Sequence, residues 1–289
     1  MDRYRLHLKL FLTPFLVGSF ALVVLPALAT MVVAFTQYNS IGVPEWVGLD
    51  NFRRLVRSDY VRISMYNTGI FIGLAVPLRL GAALGLALLL QRGGRLYGWY
   101  RAAVYLPTVI PEVAYALIWL WIFNPLYGPL NLVLSWLGFS PPPWLADPVT
   151  ARLAIVIMLS FQIGEGFVVL LAGLQSIPRS LYEAARVDGA SGWQTFYRIT
   201  LPLLAPWLLL LTFRDLIVSL QNTFTPSFVL TYGGPYYATT FAPLLIYEIA
   251  FDFFDFGLAA ALLLLIYLVM AIIVLTILNL VQSRTEFDA

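Results

Sequence analysis

The sequence predicts an all-α membrane protein that crosses the bilayer six times. Of its 289 residues, 61% are hydrophobic and only 11% are charged, whereas soluble domains carry about 25% charged residues. The mean hydropathy is +0.84. Six stretches are apolar over the roughly 20 residues that a membrane helix needs. They lie at approximately 11–36, 67–90, 102–123, 151–174, 203–223 and 257–281.

The first apolar stretch is either a retained helix or the core of a cleaved signal peptide. Arg3 and Arg5 give it a basic start, and Ala27–Ala29 resembles a cleavage site. The apolar run continues through Met31–Phe35, whereas the core of a signal peptide spans only about 7–15 residues. This length favours a retained membrane helix.

Six spans put both termini on one side of the membrane, together with residues 91–101 and the polar loop 180–202. That side carries ten basic residues and the other side five, so the positive-inside rule makes the termini cytoplasmic. Four arginines between the first two spans count against this orientation. The ten are Arg3, Arg5, Lys9, Arg92, Arg95, Arg101, Arg179, Arg186, Arg198 and Arg284, and the five are Arg53, Arg54, Arg57, Arg62 and Arg152.

Three segments on the predicted outer side have characters of their own. Val47–Ile63 alternates apolar and charged residues at helical spacing, which predicts a helix along the membrane interface. Gly128–Gly138 is apolar but too short to span. Both segments are interpreted as interfacial padding, with a landing surface for an external partner as the alternative. Tyr232–Pro235 is predicted to be a flexible turn.

Within the second span, Gly81 and Gly85 form a small-residue face that favours close helix packing.

Composition excludes several classes of site. The chain has no cysteine and one histidine, His7, and its only lysine is Lys9. A thiolate metal site, a Ser–His–Asp set and a Walker A loop are therefore not expected. A net charge of +2 gives no reason to expect a nucleic-acid partner. The sequence predicts a protein that performs no catalysis by itself and holds no metal or cofactor.

Charged residues inside predicted spans must be paired, face the bundle interior or line a wet cavity. Each costs about 2.5–3.5 kcal/mol at the centre of an isolated membrane helix. Internal ion pairs are favoured for the two arginines, with Arg79 pairing with Glu112 or Asp215. The five charged residues are Arg79, Glu112, Glu165, Arg214 and Asp215, and their sum is −1.

Polar side chains in the spans also suggest a path for a solute. Asp215, Ser219 and Asn222 recur on one face of the fifth span. In the third span, Trp119 accompanies Glu112 and Tyr115. Hydrogen-bonding groups interleaved with aromatic rings suit a sugar or polyol. A solute path and a purely structural role remain open alternatives for these faces. The candidate path residues are Glu112, Tyr115, Gln162, Glu165, Asp215, Ser219 and Asn222.

The polar loop between the fourth and fifth spans is predicted to fold as helix–turn–helix. Ser180 with Glu183 forms one capping-box pattern, and Ser191 with Gln194 forms a second. Gly189 lies between them, where a helix can end in a left-handed residue. Such a folded loop on a membrane protein predicts that a partner docks there.

This loop resembles the "EAA" signature of binding-protein-dependent ABC importer permeases. The matching residues are Glu183, Ala184, Ala185, Asp188, Gly189, Ala190, Phe196, Ile199, Leu201 and Pro202. Segments around Phe52, Leu106–Pro111 and Tyr232–Pro235 are similar to the sugar-permease branch, and to the upstream subunit of the maltose and glycerol-3-phosphate systems. The likeness covers nearly the whole chain.

The resemblance implies a type I ABC importer permease fold in a bacterial or archaeal inner membrane. It implies residues 1–62 as an N-terminal helix with an external segment, 63–281 as the permease domain and 282–289 as a cytoplasmic tail. The chain would pair with a sister permease. Two separate ATPase subunits would bind ATP and magnesium, an external solute-binding protein would deliver the sugar, and membrane lipid would surround the spans.

The resemblance also implies roles in the loop. Glu183 would face a basic group of the ATPase, Gly189 would allow the bend, and Trp193 with Phe196 would fill the ATPase cleft. The implied mechanism is alternating access, in which motion of the loop reaches the fourth and fifth spans. The alternatives are an ion-coupled secondary transporter that uses the intramembrane carboxylates, and a non-transporting scaffold. The coupling residues are Glu183, Ala184, Ala185, Asp188, Gly189, Trp193, Phe196 and Pro202.

Overall fold

Helices make up most of the computed structural model, which describes residues 2–285. The first elements are α1 (Asp2–Ser19), a π-helical turn (Phe20–Val24), α2 (Leu25–Val33), strands β1 (Thr36–Gln37) and β2 (Glu45–Trp46), α3 (Asp50–Arg57) and α4 (Asp59–Leu90). Next come α5 (Arg95–Val109), α6 (Glu112–Ile122), α7 (Pro129–Trp136), α8 (Pro148–Ser160), α9 (Gly164–Ser176), α10 (Arg179–Val187) and α11 (Gly192–Thr195). The last are a π-helical turn (Phe196–Thr200), α12 (Leu201–Asn222), α13 (Phe224–Pro226), a third π-helical turn (Ser227–Thr231), α14 (Ala242–Tyr247), a fourth (Glu248–Asp252) and α15 (Phe256–Thr285).

Up to six spans are available by length and composition. Four are single helices: Leu10–Val33, Asp59–Leu90, Gly192–Thr231 and Phe256–Asn279. The other two are bent pairs, because α5 and α6 meet at 102° and α8 and α9 at 47°. Counting each pair as one span gives the predicted six.

The predicted boundaries differ from the observed ones at several places. The second span was predicted over 67–90, but its helix begins at Asp59. The fifth span was predicted over 203–223, but its helix runs from Gly192 to Thr231. Residues 282–285 of the predicted tail are helical, because α15 continues to Thr285. Residues 286–289 of that predicted tail lie outside the described residues.

The chain forms two units, residues up to 62 together with those from 245 onward, and residues 63–244. In the first unit, β1 and β2 pair antiparallel. The amide of Asn51 donates to the carbonyl oxygens of Ala34 at 3.0 Å and Thr36 at 2.8 Å. Asn51 is only 1% exposed, so α3 is pinned to the hairpin from inside.

Only part of the predicted interfacial helix Val47–Ile63 is a separate element. α3 covers Asp50–Arg57, and the residues from Asp59 onward already belong to α4. Arg54 of α3 forms a 2.8 Å ion pair with Asp255 of the same unit. Within the short apolar stretch Gly128–Gly138, the residues Pro129–Trp136 form α7.

The core of the second unit lies where α4, α9 and α12 pack together. Ala83 and Ala87 of α4 contact Phe167 and Leu170 of α9 there, together with Leu211 of α12. These small and large side chains interlock, which lets the three helices approach closely.

The predicted packing role of Gly81 and Gly85 is wrong within this chain. No atom lies within 4 Å of where a Cβ would stand on either glycine. The two glycines are less buried than Ala83 and Ala87, since the packed face of α4 is offset by two residues. Gly164 and Gly173 of α9 do approach neighbouring side chains and backbone closely.

The Tyr232–Pro235 turn is braced, contrary to the prediction of a flexible turn. The N–H of Gly234 donates to the oxygen of Thr231 at 3.0 Å. The hydroxyls of Thr231 and Thr239 lie 2.6 Å apart. Asn67 of α4 donates to the carbonyl of Tyr237 at 2.7 Å. The tertiary hydrogen bonds, which local sequence does not reveal, fix this turn.

Replacing Asn51 by leucine is expected to destabilise the protein by about 1–3 kcal/mol, because two buried carbonyl groups lose their donor. The measurement is thermal unfolding of the purified chain in detergent, followed by tryptophan fluorescence. Asn39→Leu is the control, because the Asn39 side chain is exposed and accepts only one bond, from Ile41. Equal effects of the two substitutions would contradict this role for Asn51.

Candidate functional site

The first helix of the polar loop begins two residues earlier than the sequence predicts. α10 starts at Arg179 with Pro178 as its N-cap, and no side chain caps it. The predicted capping box of Ser180 and Glu183 is therefore wrong. The residue before a proline is held extended, and Ile177 has ψ 124°. The chain consequently enters the helix at once after Pro178, before Ser180 can serve as a cap.

The turn of the loop is as predicted. Gly189 has φ +74°, a left-handed conformation that suits glycine. The N–H of Ala190 donates to the oxygen of Ala185 at 2.9 Å, and that of Gly189 to the oxygen of Arg186 at 3.1 Å. These two bonds form a Schellman motif. They terminate α10 and fix the direction in which the chain leaves it.

The second helix of the loop carries the predicted capping box. The N–H of Ser191 donates to the side chain of Gln194 at 2.8 Å, and the N–H of Gln194 donates to the hydroxyl of Ser191 at 3.3 Å. This helix does not end within the loop. It continues through the π-helical turn Phe196–Thr200 into α12, giving one helix over Gly192–Thr231.

The loop presents both charged and aromatic side chains to its surroundings. Glu183 and Asp188 are exposed on α10. Trp193 is 69% exposed, and its ring lies 5.8 Å from that of Phe196 and 4.7 Å from that of Tyr197. An exposed aromatic cluster of this kind is typical of a protein interface.

Other loop residues hold the two helices together. Ala185 is buried while Ala184 is exposed, so the pair marks the edge of the packed face. The hydroxyl of Tyr182 lies 3.2 Å from that of Thr200 and links α10 to the start of the fifth span. Pro202 is exposed and lies directly after the π-helical turn Phe196–Thr200, inside the continuous helix.

Both broken spans place a glutamate at the start of their second helix. Pro111 is the N-cap of α6, and Glu112 is its first residue. Glu165 lies in the first turn of α9. A carboxylate at a helix N-terminus is stabilised by the unpaired N–H groups there. The breaks, which the sequence analysis did not predict, help these two charges to exist within the membrane-spanning part of the chain.

Four of the five intramembrane charges form one ion-pair network. Nε of Arg79 lies 3.4 Å from Oδ2 of Asp215, and Arg79 also donates to the hydroxyl of Ser219. Arg214 pairs with Glu165 and, at 3.0 Å, with Oδ1 of Asp215. Of the two partners predicted for Arg79, the structure selects Asp215. The network contains two positive and two negative groups and is neutral.

Glu112 is the charge that remains outside this network. The hydroxyl of Thr225 donates to Oε2 of Glu112 at 3.0 Å. Gln162 and Asn222 line the same small cavity, and its volume of about 10 Å³ is that of a single water molecule. Tyr115 also borders this cavity, but its hydroxyl donates to the carbonyl of Met158 at 2.8 Å.

Five of the seven predicted path residues thus form two groups, and the other two have separate partners. Asp215 and Ser219 are buried at 6% and 0% exposure and are occupied by Arg79. Glu112, Gln162 and Asn222 surround the small cavity together with Thr225. The remaining two are Tyr115, bonded to Met158, and Glu165, paired with Arg214.

The sequence analysis missed Thr225 because it ended the fifth span at residue 223. Thr225 follows Asn222 by three residues, so the same helical face continues past that limit.

Comparison with known proteins decides the family. Residues 78–287 match the model of the family described as binding-protein-dependent transport system inner membrane component. The chain belongs to this family. It is a multi-pass inner-membrane permease subunit of an ABC transporter, and not an ATPase. The alternative interpretation, an ion-coupled secondary transporter, is not favoured.

Two relatives match over most of the permease. A probable ABC transporter permease protein of Bacillus subtilis is 35% identical over 260 residues, which are 87% of this chain and 82% of the relative. The trehalose/maltose transport system permease protein of Thermococcus litoralis is 36% identical over 251 residues, with 86% and 83% of the two chains covered.

A solved structure shows the same fold. A chain of a bacterial ABC transporter involved in the import of the acidic polysaccharide alginate superimposes on this permease with a TM-score of 0.85 and 26% identity, covering 97% of this chain and 96% of that one. The predicted type I ABC importer permease fold is confirmed.

Replacing Asp215 by asparagine is expected to destabilise the permease by about 3–5 kcal/mol, because Arg79 keeps its charge in a buried position without a counter-ion. Glu165→Gln is the control, and a smaller loss is expected for it, because its side chain is 47% exposed and Arg214 keeps Asp215 as a second partner. Thermal unfolding in detergent measures both. A loss for Glu165→Gln as large as that for Asp215→Asn would contradict the assignment of Asp215 as the buried counter-ion.

Proposed function

We propose that this permease forms half of the translocation path of an ATP-driven sugar importer and is moved through its loop 180–202. The observation that carries the proposal is the unbroken helix Gly192–Thr231. Its first turn belongs to the exposed loop, and its later turns carry Asp215 and Asn222. We call Glu112, Gln162, Asn222 and Thr225, which line the small cavity, the polar cluster. A displacement of the loop therefore reaches the polar cluster without crossing a flexible joint.

The loop has the features that docking into an ATPase subunit needs. Glu183 is exposed and available to a basic group on the partner. The Trp193–Phe196–Tyr197 cluster offers aromatic surface for a cleft. The left-handed Gly189 sets the angle between α10 and α11, so the two docking elements reach the partner in a fixed arrangement.

The remaining parts of the importer lie in other chains. Two ATPase subunits would bind ATP and magnesium, and a sister permease would complete the path, so this chain needs no cofactor. A similar solved structure supports the proposal of an external partner. It superimposes on this chain with a TM-score of 0.82 and 25% identity, and it is a bacterial alginate ABC transporter in complex with an alginate pentasaccharide-bound periplasmic protein.

The solute class we propose is a neutral sugar or polyol. The relative from Thermococcus litoralis is described as a trehalose/maltose transport system permease protein, and trehalose and maltose are neutral sugars. In this chain the polar cluster offers Gln162, Asn222 and Thr225 as hydrogen-bonding groups. Its net charge comes from Glu112, because the other four intramembrane charges cancel. A local negative charge disfavours an anionic solute.

The cycle we propose is alternating access. ATP draws the ATPase subunits together, and the loop moves with the subunit in which it sits. The fifth span follows as one helix and separates from the third and fourth, which opens the cluster around Glu112 beyond its present water-sized cavity. Solute enters from the outside, and ATP hydrolysis reverses the motion.

Substitutions in the loop are expected to uncouple transport from ATP. Gly189→Ala strains a residue at φ +74° and should lower uptake and ATPase docking, and Gly189→Pro or Glu183→Lys should abolish both while the protein remains in the membrane. The measurement is ATPase activity, stimulated by the solute-binding protein, of the assembled importer in proteoliposomes.

Gly192→Ala is the matched control for Gly189→Ala. Gly192 is the first residue of α11, has no positive φ, and has open space where a Cβ would stand. It should therefore retain uptake. Normal stimulated ATPase activity in the assembled Gly189→Pro and Glu183→Lys variants would refute the coupling role of the loop.

Replacing Glu112 by glutamine should change charge selectivity. Removal of the negative charge is expected to raise the uptake of tetragalacturonate relative to maltotetraose by about ten-fold, since about 1.4 kcal/mol of repulsion is lost. Competition in uptake assays with the assembled importer measures the ratio. Glu45→Gln on β2 serves as the control for a charge outside the cluster. An unchanged ratio in Glu112→Gln would exclude Glu112 as the selective charge.

A further inference from the structure

An apolar groove runs along the second half of α4, beside α5 and the break between α8 and α9. Its volume is about 660 Å³, which lies in the range of about 300–1,000 Å³ typical of ligand sites. Of its lining residues, Ser160 and Tyr100 alone carry a polar side-chain group. On α4 the lining repeats every four residues, at Leu78, Ala82, Leu86 and Leu90. We call this cavity the inner groove.

The inner groove extends over the depth of one leaflet of the bilayer. From Leu78 to Leu90 it follows α4 for about 18 Å, and half of the hydrocarbon core measures about 15 Å. One end lies at Pro107 and Phe161, close to the breaks of the third and fourth spans. The other end lies at Leu90, the last residue of α4. The groove therefore leads from the middle of the membrane to the side predicted to be cytoplasmic.

Aromatic and basic side chains mark the mouth of the groove at this second end. Trp99 is 70% and Tyr100 51% exposed, and such residues are enriched at the level of the lipid head groups. Nε of Arg101 donates to the carbonyl oxygen of Leu90 at 3.0 Å, and Nη2 donates to that of Arg92 at 2.9 Å. The guanidinium group of Arg101 is thus held beside a residue that lines the groove.

The segment around the mouth is strongly basic. Arg92 and Arg95 are exposed in the turn that Arg101 closes. The sequence contains no aspartate or glutamate between Asp59 and Glu112. Basic residues at the cytoplasmic ends of membrane helices attract the head groups of anionic lipids. The mouth therefore complements a phosphate group, and the groove behind it complements an apolar chain.

We propose that the inner groove binds an anionic phospholipid of the cytoplasmic leaflet, with acyl chain in the groove and phosphate at the arginines of the mouth. Lipid tails are as apolar as leucine, so the lining suits them. Without an occupant, the lining atoms would lose the dispersion contacts that close packing supplies. This site goes beyond the proposed transport function, because it involves neither the solute nor the coupling loop.

A helix of the sister permease is the alternative occupant. The volume of the groove, spread over 18 Å, gives a mean cross-section of about 37 Å². A helix about 10 Å across has a cross-section of about 80 Å², so the groove is too narrow to enclose one. An acyl chain is thinner than a helix, and the basic mouth gives a further reason to favour a phospholipid.

The test uses the importer assembled with its own partner subunits in phosphatidylcholine nanodiscs. A trace of phosphatidylglycerol that carries a diazirine in one acyl chain is added, and the labelled residues are located by peptide mass spectrometry after irradiation. We expect labelling of α4 between Leu78 and Leu90 and of the facing part of α5. Phosphatidylcholine with the same diazirine chain should label these residues at least about five-fold less, since it lacks the net negative charge.

Removal of the basic mouth tests the head-group part of the site. Arg92→Gln combined with Arg95→Gln is expected to lower labelling by phosphatidylglycerol about five- to thirty-fold, with labelling by phosphatidylcholine unchanged. Arg53→Gln combined with Arg57→Gln is the matched control, because it removes the same charge from two exposed arginines of α3. The control pair should leave labelling of the groove as in the wild type.

Filling the groove tests the acyl-chain part. Ala102 and Ala103 are adjacent and exposed on α5, but of the two it is Ala103 that lines the groove. Ala103→Trp is expected to lower labelling of α4 at least about ten-fold, because the indole takes the space of the chain, whereas Ala102→Trp should retain it. Both variants are compared as assembled importers that elute as a single species, which excludes a folding defect.

Three results would overturn the proposal: equal labelling by the two lipids, equal losses in the two arginine pairs, and equal labelling in Ala103→Trp and Ala102→Trp. An unlabelled groove in the wild type would also overturn it. This chain has no cysteine of its own, so a bifunctional reagent that links Ala103→Cys to the sister permease would then identify a helix as the occupant. None of these outcomes bears on the proposed transport function, which is measured separately by uptake.

Discussion

The need to neutralise charge inside an apolar bundle determines which polar groups of this permease are structural. Arg79 and Asp215 are both almost fully buried, and neither could remain charged there alone. Arg214 extends the pair to Glu165, so four charges cancel within one network. The positions of α4, α9 and α12 are tied to this network, since each of these helices supplies at least one of its members.

The same constraint explains why the two glutamates lie where spans are broken. A straight helix would bury its N–H groups in its own hydrogen bonds, whereas a restarted helix offers unpaired N–H groups to a carboxylate. Pro111 restarts the third span at Glu112, and the fourth restarts just before Glu165. Glu112 and Gln162, which lie at the two breaks, line the same small cavity as Asn222.

Much of the fold was predictable because its signals are local. Apolar length gave six spans, and Gly189 and the Ser191–Gln194 pair marked a turn and a cap that the structure contains. The errors arose where tertiary context decides. Pro178 displaced the expected cap at Ser180. The helical period grouped Asp215 with Asn222, but it could not show that Asp215 is buried and paired with Arg79. The spacing of residues along one helix cannot show which side chains of a neighbouring helix pack against them.

The π-helical turn Phe196–Thr200 contributes to the rotational phase between the loop and the polar face of the fifth span. Successive residues of a helix are turned by about 100°, so every residue between Trp193 and Asn222 contributes to the direction in which each points. A single insertion or deletion in this segment would rotate the exposed loop aromatics relative to the polar cluster by about a quarter of a turn or more, without breaking any helix. Homologous permeases that share this unbroken helix should therefore vary in sequence here while keeping its length constant.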